Sequence, residues 1–197
     1  MKIVITTLGS IITVAIFIGL TVMYTGAFNV ATTWKDPALL RWILVTTRES
    51  SIERRAQAVQ APALDSESRV YNGFRSYREM CANCHTPPGS KQSPVAKGLN
   101  PTPPNLSKDE GHNMSTAELF WVIKNGIRMT GMPAWGPSHS DEELWDIVAF
   151  VEALPKISAA DYRELDRRML PGHGHEEGRP TNGTPHRDQR VDDSHGD

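Results

Sequence analysis

The sequence predicts an all-α protein in which a helical domain follows a single N-terminal transmembrane helix. An uncharged segment opens the chain, from Ile3 to Trp34, and most of it is apolar. Further along, three segments carry the apolar spacing of amphipathic helices, and two of them begin with a capping box. No convincing strand is present.

Composition and charge exclude several classes of function. The chain has 197 residues and a net charge of −2, so it offers no general nucleic-acid surface, and we expect no nucleic acid among its partners. It contains no Gly-x-Gly-x-x-Gly or Walker-type loop, so we expect no nucleotide cradle. Its length suits one ordinary domain with additional segments.

Residues 1–34 are predicted to be a membrane anchor. A helical run as long as IVITTLGSIITVAIFIGLTVMY, at about 1.5 Å per residue, can cross a hydrocarbon core of roughly 30 Å. A cleaved signal peptide is the alternative, but its apolar region is normally shorter, and residues 25–27 (TGA) are a weak cleavage site. Both interpretations export the rest of the chain. We prefer the anchor, and expect a single-pass protein of the cytoplasmic (inner) membrane with its domain on the periplasmic side.

Residues 35–65 are predicted to be a helical connector. Asp36 is the expected N-cap, and Pro37 suits the first helical turn. An apolar patch follows that is too short to span a bilayer: Leu39, Leu40, Trp42, Ile43 and Leu44. Two interpretations stay open, because this patch could lie at the membrane interface or pack on the globular domain.

Residues 66–158 are predicted to form the globular domain, with three helices. The first covers about residues 68–80 and leads directly into the sequence CANCH. Capping boxes predict the starts of the other two, at residues 115–118 (STAE) and 140–143 (SDEE). Between the first and second helices, residues 87–106 contain six prolines and two glycines, which predicts a loop.

Residues 159–197 are predicted to be a polar tail, disordered from about residue 171. Beyond that point Val191 is the only sizeable apolar residue, so no core can form. The tail carries four histidines: His173, His175, His186 and His195. Histidine-rich tracts can bind metal, but we favour a solvated tail because nothing holds these side chains in a fixed geometry.

The sequence CANCH, residues 81–85, holds the only two cysteines of the chain. A thioredoxin-type redox pair is expected near a βαβ pattern, and no strands are predicted here. A zinc site needs four ligands in closed spacing, and no second cysteine pair exists. Cys-x-x-Cys-His is also the c-type haem attachment signature, in which two thiols form thioethers and the adjacent histidine binds the iron. This last interpretation explains all three residues and agrees with export.

A haem iron that carries electrons needs a sixth ligand. Met132 stands between Gly131 and Pro133, residues that suit a tight loop presenting a side chain. A thioether opposite histidine raises the reduction potential. Met129 is the rival, Met114 is more remote, and any of the three could instead be core filler.

These residues resemble the class I c-type cytochromes, particularly the small mono-haem domains similar to the third subunit of cbb3-type oxidases. The matching segments follow the family's order: GFRSY at 73–77, CANCH, PNL at 104–106, WVIKNGI at 121–127, GMPAW at 131–135 and ELWDIVAFV at 143–151. The resemblance implies a class I cytochrome c fold. It also implies one covalently attached haem c, with its iron.

The resemblance carries residue roles onto matching positions. It implies that Cys81 and Cys84 hold the haem and that His85 and Met132 are the axial iron ligands. The carbonyl of Pro104 would accept a hydrogen bond from the ring of His85. Trp135 would pack beside the haem. Gly73 and Tyr77 are expected to let the first helix cross the last one closely, near Trp145 and Val148. An apolar shell is expected to keep water from the iron, and it includes Phe74, Leu106 and Leu119.

Two features depart from the family. Pro103 stands where the family usually has glycine, and the oxidase subunit itself usually carries two haems, whereas this chain has one Cys-x-x-Cys-His. The chain is therefore not an ordinary version of that subunit.

The function that follows is electron transfer by a membrane-anchored carrier, not enzymatic catalysis, between respiratory redox partners. A fixed electron-entry subunit of an oxidase or dehydrogenase is an alternative, as is a haem sensor or peroxidase with a labile sixth ligand. Five basic residues could form a docking patch or be ordinary surface charges: Lys91, Lys97, Lys108, Lys124 and Arg128.

Overall fold

A computed structural model describes residues 1–108 and 113–169. Within these ranges the chain is helical and contains no strand, which confirms the predicted all-α class with one N-terminal apolar helix. The helices are α1 (Lys2–Thr25), α2 (Ala38–Ala56), α3 (Glu67–Ser76), α4 (Pro94–Gly98), α5 (Thr116–Asn125), α6 (Asp141–Ala153) and α7 (Ala159–Met169). The four tail histidines predicted from the sequence lie outside the described residues.

Helix α1 is an isolated apolar helix. It is long and apolar enough to cross a membrane, and none of its residues is buried by the rest of the chain. Its Thr and Ser hydroxyls donate back to carbonyls of the preceding turn, as Thr13 does to Gly9 at 2.9 Å. These bonds satisfy polar side chains without water, as a hydrocarbon environment requires. Gly26 ends the helix with φ 67°, a conformation that favours glycine.

Helix α2 is one continuous connector helix with two different halves. Pro37, not Asp36, is its N-cap residue, and no side chain caps it, so the predicted Asp36 cap is wrong. The first half exposes Leu39, Trp42, Ile43 and Leu44. The second half packs against α5 and buries Ile52 and Ala56. The buried residues of the connector helix therefore lie in its C-terminal half.

The centre of the fold is the crossing of α3 over α6. A Cβ atom added to Gly73 would lie 1.9 Å from the carbonyl oxygen of Asp146, so the two backbones meet where only glycine fits. Phe74 and Tyr77 lie next to this contact, fully buried, with ring centroids 5.3 and 5.1 Å from that of Phe150. The predicted close crossing is thus present, centred on Asp146 and Phe150.

Helices α5 and α6 begin where the capping boxes predict. Ser115 and Ser140 each accept a hydrogen bond from the backbone N–H three residues later, and the glutamates at those positions return the bond. The two helices pack together, and Phe120 stacks on Trp145 at 3.9 Å with nearly parallel rings. This pair closes one side of the core beside the α3–α6 crossing.

Two short helices are absent from the sequence-based prediction. Helix α4 lies within the proline-rich loop, where Ser93 caps the N–H of Ala96 and Pro94 occupies the first turn. Helix α7 follows a 3₁₀ turn, Leu154–Lys156, and buries Tyr162 against Phe74. The packed helices therefore continue past residue 158, the predicted domain boundary.

Candidate haem site

A cavity of about 370 Å³ opens beside the core, a volume within the usual range for small-molecule and cofactor sites. Its walls come from the CANCH turn, the loop before α5, one side of α5 and α6, and the loop after α5. Uncharged side chains form most of its lining, among them Met80, Leu106, Leu119, Val122, Ile123, Ile127, Trp135, Ile147 and Val151. A flat apolar ligand with a few polar groups fits such a site.

The CANCH turn is shaped by the end of α3. The helix widens into a π-helical turn, Tyr77–Cys81, and the N–H groups of Cys84 and His85 then both bond the carbonyl of Cys81, at 3.0 and 2.8 Å. This compact turn brings Cys81, Cys84 and His85 to the same cavity wall. Both cysteines are free thiols.

His85 is held in the form that can bind a metal. Its Nδ1 lies 2.9 Å from the carbonyl oxygen of Pro104, so Nδ1 carries the proton and Nε2 keeps its lone pair. Burial lowers the pKa of the imidazole, although the bond to Pro104 opposes this shift. The ring is therefore neutral near pH 7, and the structure contains the hydrogen bond that the sequence resemblance implied.

The surroundings of Cys81 do not support a redox pair, and the described residues do not support a zinc site. Burial, with a smaller contribution from Cys84, raises the pKa of Cys81 to about 12, whereas reactive Cys-x-x-Cys thiols have lowered pKa values. No group of three or more His, Cys, Asp or Glu among the described residues is arranged to hold a metal. The apolar cavity beside both cysteines agrees with the haem attachment that the resemblance implies.

Met132 lies on the cavity and Met129 does not. The loop that presents Met132 is fixed by its backbone, since Ile127 N–H donates to the Met132 carbonyl at 3.1 Å and the Thr130 hydroxyl accepts from the Met132 N–H at 3.1 Å. Met129 is 78% exposed with φ 61°. Met114 also lines the cavity, so it, and not Met129, is the alternative methionine.

The other predicted residues divide in two groups. Pro104, Leu106, Leu119 and Trp135 all line the cavity. Phe74 does not line the cavity, because it packs on Phe150 and Tyr162 in the core. The arrangement could therefore hold a haem between His85 and Met132, with Cys81 and Cys84 within the same wall.

The cavity also includes residues that sequence reasoning missed. Arg48 and Glu49 reach it from the connector helix, and Thr130 from the methionine loop. Among the basic residues considered for a docking patch, Lys124 is engaged locally: its Nζ lies 2.6 Å from Asp141 and 5.5 Å from the Phe120 ring centroid. No sequence motif marks Arg48, whose position depends entirely on how α2 packs.

The helical fold and this cavity agree with the resemblance to the c-type cytochromes. Residues 68–151 match the family model described as cytochrome c oxidase, cbb3-type, subunit III, which confirms the resemblance for that segment. A search of curated proteins finds no match. Among solved structures, a chain of the Kuenenia stuttgartiensis reducing HAO-like protein complex is similar, with 22% identity and a TM-score of 0.40. That similarity covers 48% of this chain and 50% of the other, so the chain spans half the length of its structural neighbour.

Proposed function

We propose that this chain is a membrane-anchored c-type cytochrome with one haem, which passes single electrons between respiratory redox partners. One observation carries the proposal. Cys81, Cys84, His85 and Met132 line a single apolar cavity within a cytochrome c domain. In this proposal the first two residues attach the haem and the last two are its axial ligands.

The haem would supply the one-electron redox chemistry, and the protein would control its surroundings. His85 offers a neutral Nε2, oriented through the bond to Pro104. Hydrogen bonds to the Met132 backbone hold its loop in place, so Met132, like His85, would offer its side chain from a fixed position. Leu119 and Trp135 shield the cavity from water.

Helix α1 would anchor the domain to the cytoplasmic membrane, with the domain on the periplasmic side. Its length, its lack of charge and its complete exposure support this role. The exposed apolar residues of α2, including Leu39 and Trp42, would then lie against the membrane surface. Protease treatment of spheroplasts tests this arrangement, because it should remove the domain while the cytoplasmic membrane stays intact. Protection of the domain would contradict it.

A second candidate is a fixed electron-entry subunit of an oxidase or dehydrogenase. The specific observation that favours it is the family model itself, which describes an oxidase subunit. The two candidates share the same haem site and differ in whether the chain has permanent partners.

The deciding experiment separates detergent-solubilised membranes on native gels, stains for covalent haem and identifies the proteins in the stained band. A band with this chain alone supports a tethered carrier, and comigration with oxidase or dehydrogenase subunits supports the fixed subunit. An unstained chain refutes haem attachment. Cys81→Ser and Cys84→Ser variants should reduce the stain on denaturing gels, whereas Met129→Leu should leave it unchanged.

A further inference from the structure

The connector helix supplies charge to an otherwise uncharged cavity. Arg48 and Glu49 of α2 line it, and the remaining described lining residues carry no formal charge while His85 is neutral. Helix α2 lies outside the segment that matches the cytochrome family. These two charges are therefore an addition to the domain and not part of its shared pattern.

The packing of α2 explains how Arg48 reaches the cavity. Arg48, Ile52 and Ala56 are spaced by four residues and share one face of the helix. Ile52 and Ala56 are buried where α2 packs on α5. Because Arg48 lies one turn before Ile52 on this face, the packing of α2 on α5 also directs Arg48 towards the cavity.

Arg48 has a buried hydrogen-bond donor without an acceptor. Its Nη2 donates to Glu49 Oε1 at 3.2 Å, but its Nε is buried and has no partner within the described residues. Its side chain is 31% exposed, so the guanidinium is partly, and not fully, withdrawn from water. A buried donor without an acceptor is destabilising, particularly on a charged group. The Arg48 side chain nevertheless lines the cavity and is not fully covered by protein, so it can meet an anionic group on whatever the cavity binds.

We propose that Arg48 binds a propionate of the haem, with Glu49 holding the guanidinium in position. This inference rests on the proposed haem site. The planar fork of arginine matches the two oxygens of a carboxylate, and the propionates are the anionic groups of an otherwise apolar cofactor. Glu49 orients Arg48 through their hydrogen bond and is a positioning residue. The connector thereby becomes a part of the haem site as well as a tether.

The arrangement should influence the reduction potential. A positive charge beside the haem stabilises the reduced form, which carries one positive charge fewer than the oxidised form. Removal of Arg48 should therefore shift the ratio of reduced to oxidised protein at fixed potential by up to about tenfold towards the oxidised form. For a one-electron couple this is about 59 mV downwards. Removal of Glu49 should shift the potential upwards.

The test uses full-length, haem-loaded protein in detergent and compares Arg48→Gln, Glu49→Gln and Arg54→Gln. Arg54 is the matched control, because it lies exposed on the same helix and does not line the cavity. Redox titration should give a lower midpoint for Arg48→Gln, a higher one for Glu49→Gln and no change for Arg54→Gln. The propionate bending band in the resonance Raman spectrum should move in Arg48→Gln. It should stay unchanged in Arg54→Gln.

Equal midpoints for wild type and Arg48→Gln, or equal shifts for Arg48→Gln and Arg54→Gln, would overturn the assignment. An unshifted propionate band with a lower melting temperature would instead make Arg48 a packing residue. If Arg48→Gln does not retain haem, Glu49→Gln decides, since an unchanged propionate band and midpoint there would also refute the arrangement. A wild-type protein without covalent haem would refute the proposed function itself, which separates the two failures.

Discussion

The hydroxyl of Tyr77 donates a hydrogen bond of 2.6 Å to the backbone carbonyl oxygen of His85. Tyr77 is fully buried at the end of α3, so this bond joins the helix crossing to the turn that carries the candidate axial ligand. The Tyr77 side chain therefore connects the core directly to the turn that carries His85.

Replacement of Tyr77 by phenylalanine should lower the free energy of unfolding by about 1–3 kcal/mol, because the His85 carbonyl loses its buried donor. Urea denaturation followed by circular dichroism measures the change. Tyr71→Phe is the control, since Tyr71 is exposed and its hydroxyl makes only a 3.5 Å contact to the Met169 sulfur. Equal stability of the two variants would contradict the role given to Tyr77.

Replacement of Gly73 by alanine should destabilise the fold by about 3 kcal/mol or more. The added Cβ would meet the Asp146 carbonyl at 1.9 Å and the Phe150 side chain at 2.8 Å, so α3 and α6 would have to separate. Thermal unfolding gives the measurement. Gly98→Ala is matched to it, because no atom lies within 4 Å of the added carbon there, and we expect a change below about 1 kcal/mol.

Replacement of Met132 by leucine should lower the reduction potential and change the absorption spectrum, because a thioether ligand opposite histidine raises the potential. A decrease on the order of 0.1 V lies within the range of about 0.8 V that axial ligands control. Met129→Leu should leave both unchanged, since that side chain is outside the cavity. An unchanged spectrum in Met132→Leu, with a changed one in Met114→Leu, would move the assignment to Met114.

Alkaline pH should weaken the fold through its buried tyrosines. Burial, followed by the Asp166 charge, raises the pKa of Tyr162 to about 12, and burial raises the pKa of Tyr77 further. In the unfolded chain both groups ionise near pH 10. Above that pH the unfolded state releases protons that the folded state retains. The tyrosines' contribution to the free energy of unfolding is therefore fully present below pH about 10 and is lost as the pH rises towards 12. Urea titrations across this interval should show the loss, and Tyr162→Phe should reduce its slope.

The parts of the fold that local chemistry determines could be predicted from the sequence. The capping boxes at Ser115 and Ser140 specify helix starts through bonds between neighbouring residues, and the structure contains both. Helix α4 was missed because the surrounding prolines indicated only a loop, although Ser93 before Pro94 is a capping arrangement. Helix α7 was missed although Tyr162, Leu165 and Met169, spaced by three and four residues, form one apolar face that packs on the core.

The candidate site also contains residues that could be predicted from local sequence and residues that could not. The spacing of CANCH places Cys81, Cys84 and His85 on one turn, so their proximity could be predicted. The choice of Met132 over Met129 followed from its flanking Gly131 and Pro133, and the structure places only Met132 of these two on the cavity. Arg48 could not be predicted, because its place depends on a contact between helices that are far apart in sequence.

The attachment of α2 to α5 limits how far the domain can travel. If α1 is held in a membrane, only residues 26–37 are free to extend, which is at most roughly 40 Å of chain. A hydrogen bond between Asn100 and the Trp34 carbonyl shortens this further. The domain would therefore stay close to the membrane surface, where a redox partner in the same membrane would meet it. The encounter would then depend on lateral distance along the bilayer and little on diffusion through the compartment.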